Sequence, residues 1–238
     1  MSTALIIGAG PRVGQSAAEA FLAAGYKVAV ASRTQKLDPK FRFYAFDGSK
    51  PETVPALFEK VSADLGIPSV VIHVAAFKAQ GSTEQQPFDS VEDIRTGFNV
   101  NTLTPYVAAQ EAVKGFEKLG AEGLGPSGGT FIYVGNIGNV TAVPLFLDLS
   151  MHKSASATLV KQLALAAYND KPWKFYYVDE RRENGLYVPR GLSGPGHAEL
   201  FLDLAKDVKQ RPWSQTFVPG KGYVAFEPKE YLPWDVNY

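Results

Sequence analysis

The stretch Leu5-Ile6-Ile7-Gly8-Ala9-Gly10-Pro11-Arg12-Val13-Gly14, followed by Ser16-Ala17-Ala18-Glu19-Ala20-Phe21-Leu22, decides the fold. A short apolar run breaks into glycines and then into an alanine-rich helical pattern. This reads as a buried strand over residues 4–7, a tight turn at Gly8, and a helix over residues 13–24 ended by Gly25. The helix aims its unpaired N–H groups and the positive end of its dipole back at the turn, where a pyrophosphate fits. Gly8, Gly10, Arg12, Val13 and Gly14 are therefore candidate dinucleotide ligands. The glycine spacing follows neither G-x-G-x-x-G nor G-x-x-x-G-x-G. A glycine turn alone is an ordinary connection, and its place between strand and helix carries the reading.

Outward from this turn, strand and helix patterns alternate. Strands are expected over residues 27–31, 41–46, 69–74, 130–134, 173–178 and 215–218. Helices are expected from Pro51 to near Leu65, from the capping box Ser90-Val91-Glu92-Asp93 to near Leu119, over 150–168 and over 198–209. Residues 120–129 read as a glycine-rich loop and 179–196 as a polar loop or hairpin. The order predicts an α/β, Rossmann-type doubly wound parallel sheet of about seven strands, with helices on both faces. One domain is expected over residues 1–238, with an aromatic tail over 220–238.

Composition narrows the function. Apolar residues make up 45% and charged residues 20% of the chain, as in ordinary globular proteins. The 24 basic residues balance the 24 acidic ones, so no net field recruits nucleic acid or an anionic membrane. With no cysteine, disulfides and a thiolate nucleophile are excluded. His73, His152 and His197 are far apart in sequence, and no metal site is expected. No apolar run has transmembrane length, and the apolar residues at the N-terminus are already used as a strand; the expected location is cytoplasmic.

Several motifs stand at informative separations. Asp47-Gly48 follows strand 3, and His73-Val74-Ala75-Ala76 ends strand 4. Phe98-Asn99-Val100-Asn101 lies within the long helix, Gly128–Val134 leads into Gly135-Asn136, and Lys153 precedes Ser154-Ala155-Ser156-Ala157. Together they resemble the short-chain dehydrogenase/reductase family over essentially the whole chain. The resemblance implies that Asp47 and Gly48 meet adenine, and that Ala75 and Ala76 line the cofactor site. It implies that Lys153 anchors the nicotinamide ribose and that Asn101 supports it. The departures matter equally. Leu149 stands where the family has its catalytic tyrosine, and Asn136 where it has its serine. Val178-Asp179-Glu180-Arg181 replaces a Pro-Gly turn, and Arg12 replaces the middle glycine. The chain is most similar to an atypical branch that begins G-A-G-P-x-x-G.

Leu149 cannot transfer a proton, so the acid is open. Asn136 can donate an amide N–H to a developing oxyanion, and is also an ordinary turn former. Asn101 either supports the lysine or caps a kink in its helix. Ser150 shares the face of Lys153 but is a poor acid. His152 lies about 100° away around the helix. Asp148 reads as a helix N-cap and Tyr133 as core. At the end of strand 2, Ser32-Arg33 stands where an acid would hold a ribose 2′-hydroxyl; a guanidinium there suits a 2′-phosphate, so NADP(H) is the expected cofactor. Arg12 is a second phosphate ligand or a solvated loop residue.

Three functions follow as alternatives. One is an NADP(H)-dependent oxidoreductase acting on a small-molecule carbonyl or imine. Another is an NADP(H)-binding pseudoenzyme, and a third is a non-redox catalyst that uses the cofactor for shape. The resemblance also implies a homo-dimer or tetramer, joined through the helices over 90–119 and 150–168.

Overall fold

The computed structural model describes residues 1–83 and 85–230. Seven parallel strands form the sheet: β1 (Thr3–Ile7), β2 (Lys27–Ser32), β3 (Arg42–Ala45), β4 (Pro68–His73), β5 (Gly129–Val134), β6 (Trp173–Glu180) and β7 (Ser214–Val218). A two-residue strand, β8 (Gly222–Tyr223), adds antiparallel to β7, one strand beyond the expected number. The order is β3-β2-β1-β4-β5-β6-β7-β8. The sheet is therefore the Rossmann-type doubly wound form, and its order reverses between β1 and β4. A crevice opens at such a reversal, outside the carboxyl ends of the strands.

Both faces of the sheet are covered, which is why its strands read as continuous apolar runs. Successive side chains alternate between the two cores. Leu5, Phe131, Tyr133 and Tyr177 join one core with α2 (Val54–Leu65), α4 (Thr104–Leu124) and α5 (Leu147–Gln162). Ile6, Ile132, Val134 and Val178 join the other with α1 (Val13–Ala23) and α6 (Gly194–Lys206).

Several boundaries differ from expectation. The helix expected over 90–119 is three pieces: α3 (Val91–Phe98), a π-helical turn over Asn99–Leu103, and α4. The Ser90 cap is as expected, with its Oγ accepting from the Asp93 N–H at 3.1 Å. Helix α4 runs to Leu124 through a break at Gly120, so the loop expected from 120 starts later. Helix α5 begins at Leu147, with Phe146 as its N-cap. Asp148 is not the cap but lies in the first turn, where its Oδ2 accepts from the Ala79 N–H at 3.1 Å. Strand β6 continues through Asp179 and Glu180, two residues into the loop expected over 179–196. Helix α6 begins at Gly194, capped by the Ser193 Oγ on the Gly196 N–H at 3.1 Å. Of the aromatic tail, residues 231–238 lie outside the described part. Upstream of them, Glu230 accepts from the Ala142 N–H at 2.9 Å, and Phe226 packs on Gly185.

Candidate active site

Three clefts run together along the carboxyl ends of the strands. The first two share Gly8, Gly10 and Val74; the second and third share Val74, Val188, Pro189 and Leu192. The groove thus leads from β2 and β3, over the start of α1, to a cavity above β5 and β6.

The middle of the groove fits a pyrophosphate. Helix α1 has no side-chain cap and no acidic residue in its first turn; the Gln15 N–H returns to the Gly10 carbonyl at 2.9 Å, which leaves the N–H groups of Val13 and Gly14 and the dipole for an anion. Gly8 has φ +90°, and a β-carbon there would lie 2.2 Å from the Ala75 nitrogen. A β-carbon on Gly14 would lie 2.6 Å from the Ala9 Cα, so α1 packs on the turn only because position 14 is bare. Arg12 and Val13 line this cleft, and Arg190 lines it from the loop after β6.

At one end, Ser32, Arg33 and Lys36 face Asp47, Gly48 and Ser49, with Ala75 and Ala76 on the floor. The Asp47 Oδ1 accepts from the Ser49 N–H at 3.0 Å and its hydroxyl at 2.9 Å. The Ser49 N–H holds this carboxyl below the usual carboxylate range. The loop is fastened from the long helix: Asn99 Nδ2 donates to the Ser49 carbonyl at 3.0 Å, and Thr104 Oγ1 to that of Gly48 at 2.7 Å.

At the other end, Lys153, Leu149 and Asn136 line one cavity with Asp179, Glu180 and His197. Lys153 is buried, and its Nζ donates to the Val134 carbonyl at 2.8 Å. Burial pulls its ammonium down to about 7, against the opposing charge of Asp179. Asp179 is also buried, and burial pushes it up to about 6 although Arg181 donates to it from Nε at 2.6 Å. Asn136 is both a turn residue and a cavity residue. Its Oδ1 accepts from the Gly138 N–H at 3.0 Å, while its amide nitrogen makes no hydrogen bond among the described residues.

Two candidates are placed away from this cavity's lining. The side chain of Asn101 grips the backbone of Phe77, accepting from its N–H at 3.0 Å and donating to its carbonyl at 2.7 Å. Its own carbonyl, displaced by the π-helical turn, accepts from the hydroxyls of Tyr133 at 2.9 Å and Ser156 at 2.6 Å. The Ser150 Oγ is buried against Gly138, where a β-carbon would lie 2.5 Å from it, and has no partner among the described residues. Residue-type reasoning missed Lys36, Asp179, Glu180 and His197 as lining residues. The absent Pro-Gly turn was the only local signal for the acids, since it lets β6 run on.

Comparison with known proteins agrees with this fold. The family model described as Enoyl-(Acyl carrier protein) reductase matches residues 8–171. The short chain dehydrogenase/reductase dmxR12 of Cryptosporiopsis sp. (strain 8999) is 38% identical over 237 residues, covering 93% of this chain and 94% of that protein. Among solved structures, ElxO with NADP bound superposes with a TM-score of 0.74 at 18% identity, covering 92% of this chain and 98% of that one. A metagenomic short-chain oxidoreductase in complex with NADP gives 0.75 at 15% identity, covering 92% and 97%. The family match over most of the chain, and a relative aligned along nearly its full length, establish that the chain belongs to the short-chain dehydrogenase/reductase family.

Proposed function

We propose that this chain is an NADP(H)-dependent oxidoreductase acting on a small-molecule carbonyl or imine, of an atypical kind that works without the family's tyrosine and serine. The observation that carries the reading is the position of Lys153. Its buried ammonium lines a cavity continuous with the glycine groove, at the end of β5. A fixed donor there suits ribose hydroxyls. Arg33 and Lys36, with no acid at the end of β2, support a 2′-phosphate, as do the NADP complexes of the two superposed structures.

The bound nicotinamide supplies or accepts the hydride. The chain's part is positioning and electrostatics. Lys153 holds the sugar. The Asn136 amide, with its oxygen already anchored, offers an N–H to a developing oxyanion. Leu149 fills the tyrosine's place with an apolar surface and gives no proton. Exposed apolar side chains on α4 and α5, among them Tyr106 and Met151, support association of copies through these helices. The sheet spans residues 3 to 223, which supports one domain.

The test is NADPH consumption against a panel of aldehydes, ketones, quinones and imines, alongside NADPH and NADH titrations. Turnover with at least one panel member and tighter NADPH binding are expected. A protein that binds NADPH and reduces none of the panel would instead be a dinucleotide-binding pseudoenzyme, the reading that Leu149 favours.

A further inference from the structure

The cavity around Lys153 holds a second polar cluster. Glu180 closes β6 on the sheet face opposite Tyr177, and His197 lies in the first turn of α6. The imidazole is fully buried, edge-on to the rings of Phe201 at 5.5 Å and Phe217 at 4.9 Å. Its Nδ1 lies 2.8 Å from the Ser193 carbonyl oxygen and 3.2 Å from the Glu180 Oε2. The same Oε2 accepts from the Ser193 N–H at 2.8 Å, so the carboxylate cannot swing away freely.

Chemistry assigns the tautomer. A carbonyl oxygen only accepts, so Nδ1 carries a proton and donates it to Ser193 and Glu180. That leaves Nε2 as the working nitrogen. It is buried and has no hydrogen-bond partner among the described residues, and its ring borders the cavity that Lys153, Leu149 and Asn136 also line. A buried polar atom without a partner calls for an explanation. A carboxylate holding Nδ1–H while Nε2 works on substrate is a recurrent acid–base arrangement.

We propose that His197, oriented by Glu180, is the proton donor that takes the place of the missing tyrosine. This rests on the reductase reading above. The substrate carbonyl carbon gains a hydride from the reduced nicotinamide, forming a C–H bond, and the π pair moves to oxygen. The oxygen takes the proton from Nε2 as that N–H bond breaks. A neutral imidazole remains, hydrogen-bonded through Nδ1–H, and is reprotonated from water. The substrate is reduced by two electrons and the nicotinamide oxidised by two. For an imine, the nitrogen takes the proton in the same way.

Reduction draws a proton through Nε2 and oxidation returns one there, so the pH limbs of the two directions run opposite ways. The charged groups bearing on that ring are Glu180 and Asp179 from β6, Arg181 just beyond it and Lys153 from α5, with Lys78 across the cavity.

The deciding variant is His197→Asn, whose amide nitrogen can keep the Nδ1–H bond to Ser193 while Nε2 is deleted. An unchanged thermal midpoint and NADPH dissociation constant are expected, with kcat on the best panel substrate at least about 100-fold lower and its pH limb abolished. Glu180→Gln keeps an acceptor for Ser193 without the charge, and is expected to move that limb to lower pH. If His197→Asn does not fold, ring ¹⁵N shifts of the unmodified protein with NADP⁺ decide. They should titrate with the same pH dependence as turnover. A His197 ring that stays neutral across the pH range of turnover, or a His197→Asn protein reducing as fast as the parent, overturns the assignment alone. An NADPH-bound parent that reduces none of the panel removes the reductase reading and the assignment with it.

Discussion

The ammonium of Lys153 stands 4.5 Å above the ring of Tyr133, and that ring is itself stacked between His73 and Tyr177. The charge is thus housed by an aromatic face and one carbonyl, away from water, which is why it is held only to about 7. Cofactor affinity should follow that proton. NADPH binding is expected to weaken as pH rises above 7, where the ammonium empties. Lys153→Met should bind roughly 1–3 kcal/mol more weakly at pH 6 and lose the pH dependence. Fluorescence titration from pH 6 to 9 checks both; a flat profile in the parent would contradict the placement.

The same lysine leaves a mark on stability. Its pKa is lowered in the folded chain, so above 7 the unfolded chain binds the extra proton. Stability must then rise with pH from 7 toward the ordinary lysine value of about 10.5. Lys174, pulled down to about 8 by burial, acts in the same direction at the upper end of that window. Urea unfolding at pH 6, 8 and 9.5 should show the rise in the parent, and a shallower one in Lys153→Met.

Arg33 and Lys36 line the cleft beyond β2, where the sequence carries no acid. Arg33→Ala is expected to weaken NADPH binding by roughly 1–3 kcal/mol and to leave NADH nearly unaffected, since only the 2′-phosphate is lost. Lys36→Ala should act in the same sense by a smaller amount. Calorimetric titration of both dinucleotides tests this, and equal losses for the two would show that Arg33 reads some other part of the molecule.

Leu149 and Asn136 line the same cavity as Lys153, so the family's acid can be put back. In the His197→Asn background, Leu149→Tyr combined with Asn136→Ser should raise the turnover of simple ketones, recovering part of the about 10²–10⁴-fold that a positioned acid contributes. Serine at 136 can cap Gly138 as asparagine does. Initial rates with the double variant and each single variant are the measurement. No gain in any of them would mean that the lysine and position 149 do not face a common reaction centre.

What the sequence discloses here is what local chemistry dictates. The path from Leu5 through Gly8 to Phe21 is legible because strand, turn and helix each depend on near neighbours. Lys153 was singled out by resemblance, since Ser154-Ala155-Ser156-Ala157 after it looks like the family's lysine helix. The end of β6 was misread because Asp179 and Glu180 look like loop residues. Their charges are answered by Arg181 two positions on, and by Ser193 and His197 more than ten residues away, which no local pattern displays. Asn101 was recognised as a residue type at the right place, but its work depends on the π-helical turn that frees its carbonyl. A one-residue insertion in the helical ladder leaves almost no trace in the periodicity of side chains.

The hydroxyl of Tyr177 accepts from the Asn136 N–H at 2.9 Å and donates to the Asn136 carbonyl at 2.8 Å. Its ring lies across Gly135, where a β-carbon would sit 2.0 Å from the phenol carbon. The main chain at 136 is therefore moored by the neighbouring strand and not by the side chain at 136. Natural variation can then swap the group presented at that point, serine for asparagine or the reverse, without re-engineering the scaffold beneath it. Descent can alter the chemistry of this site by single steps, while Tyr177 and Gly135 are bound to each other and must change, if at all, together.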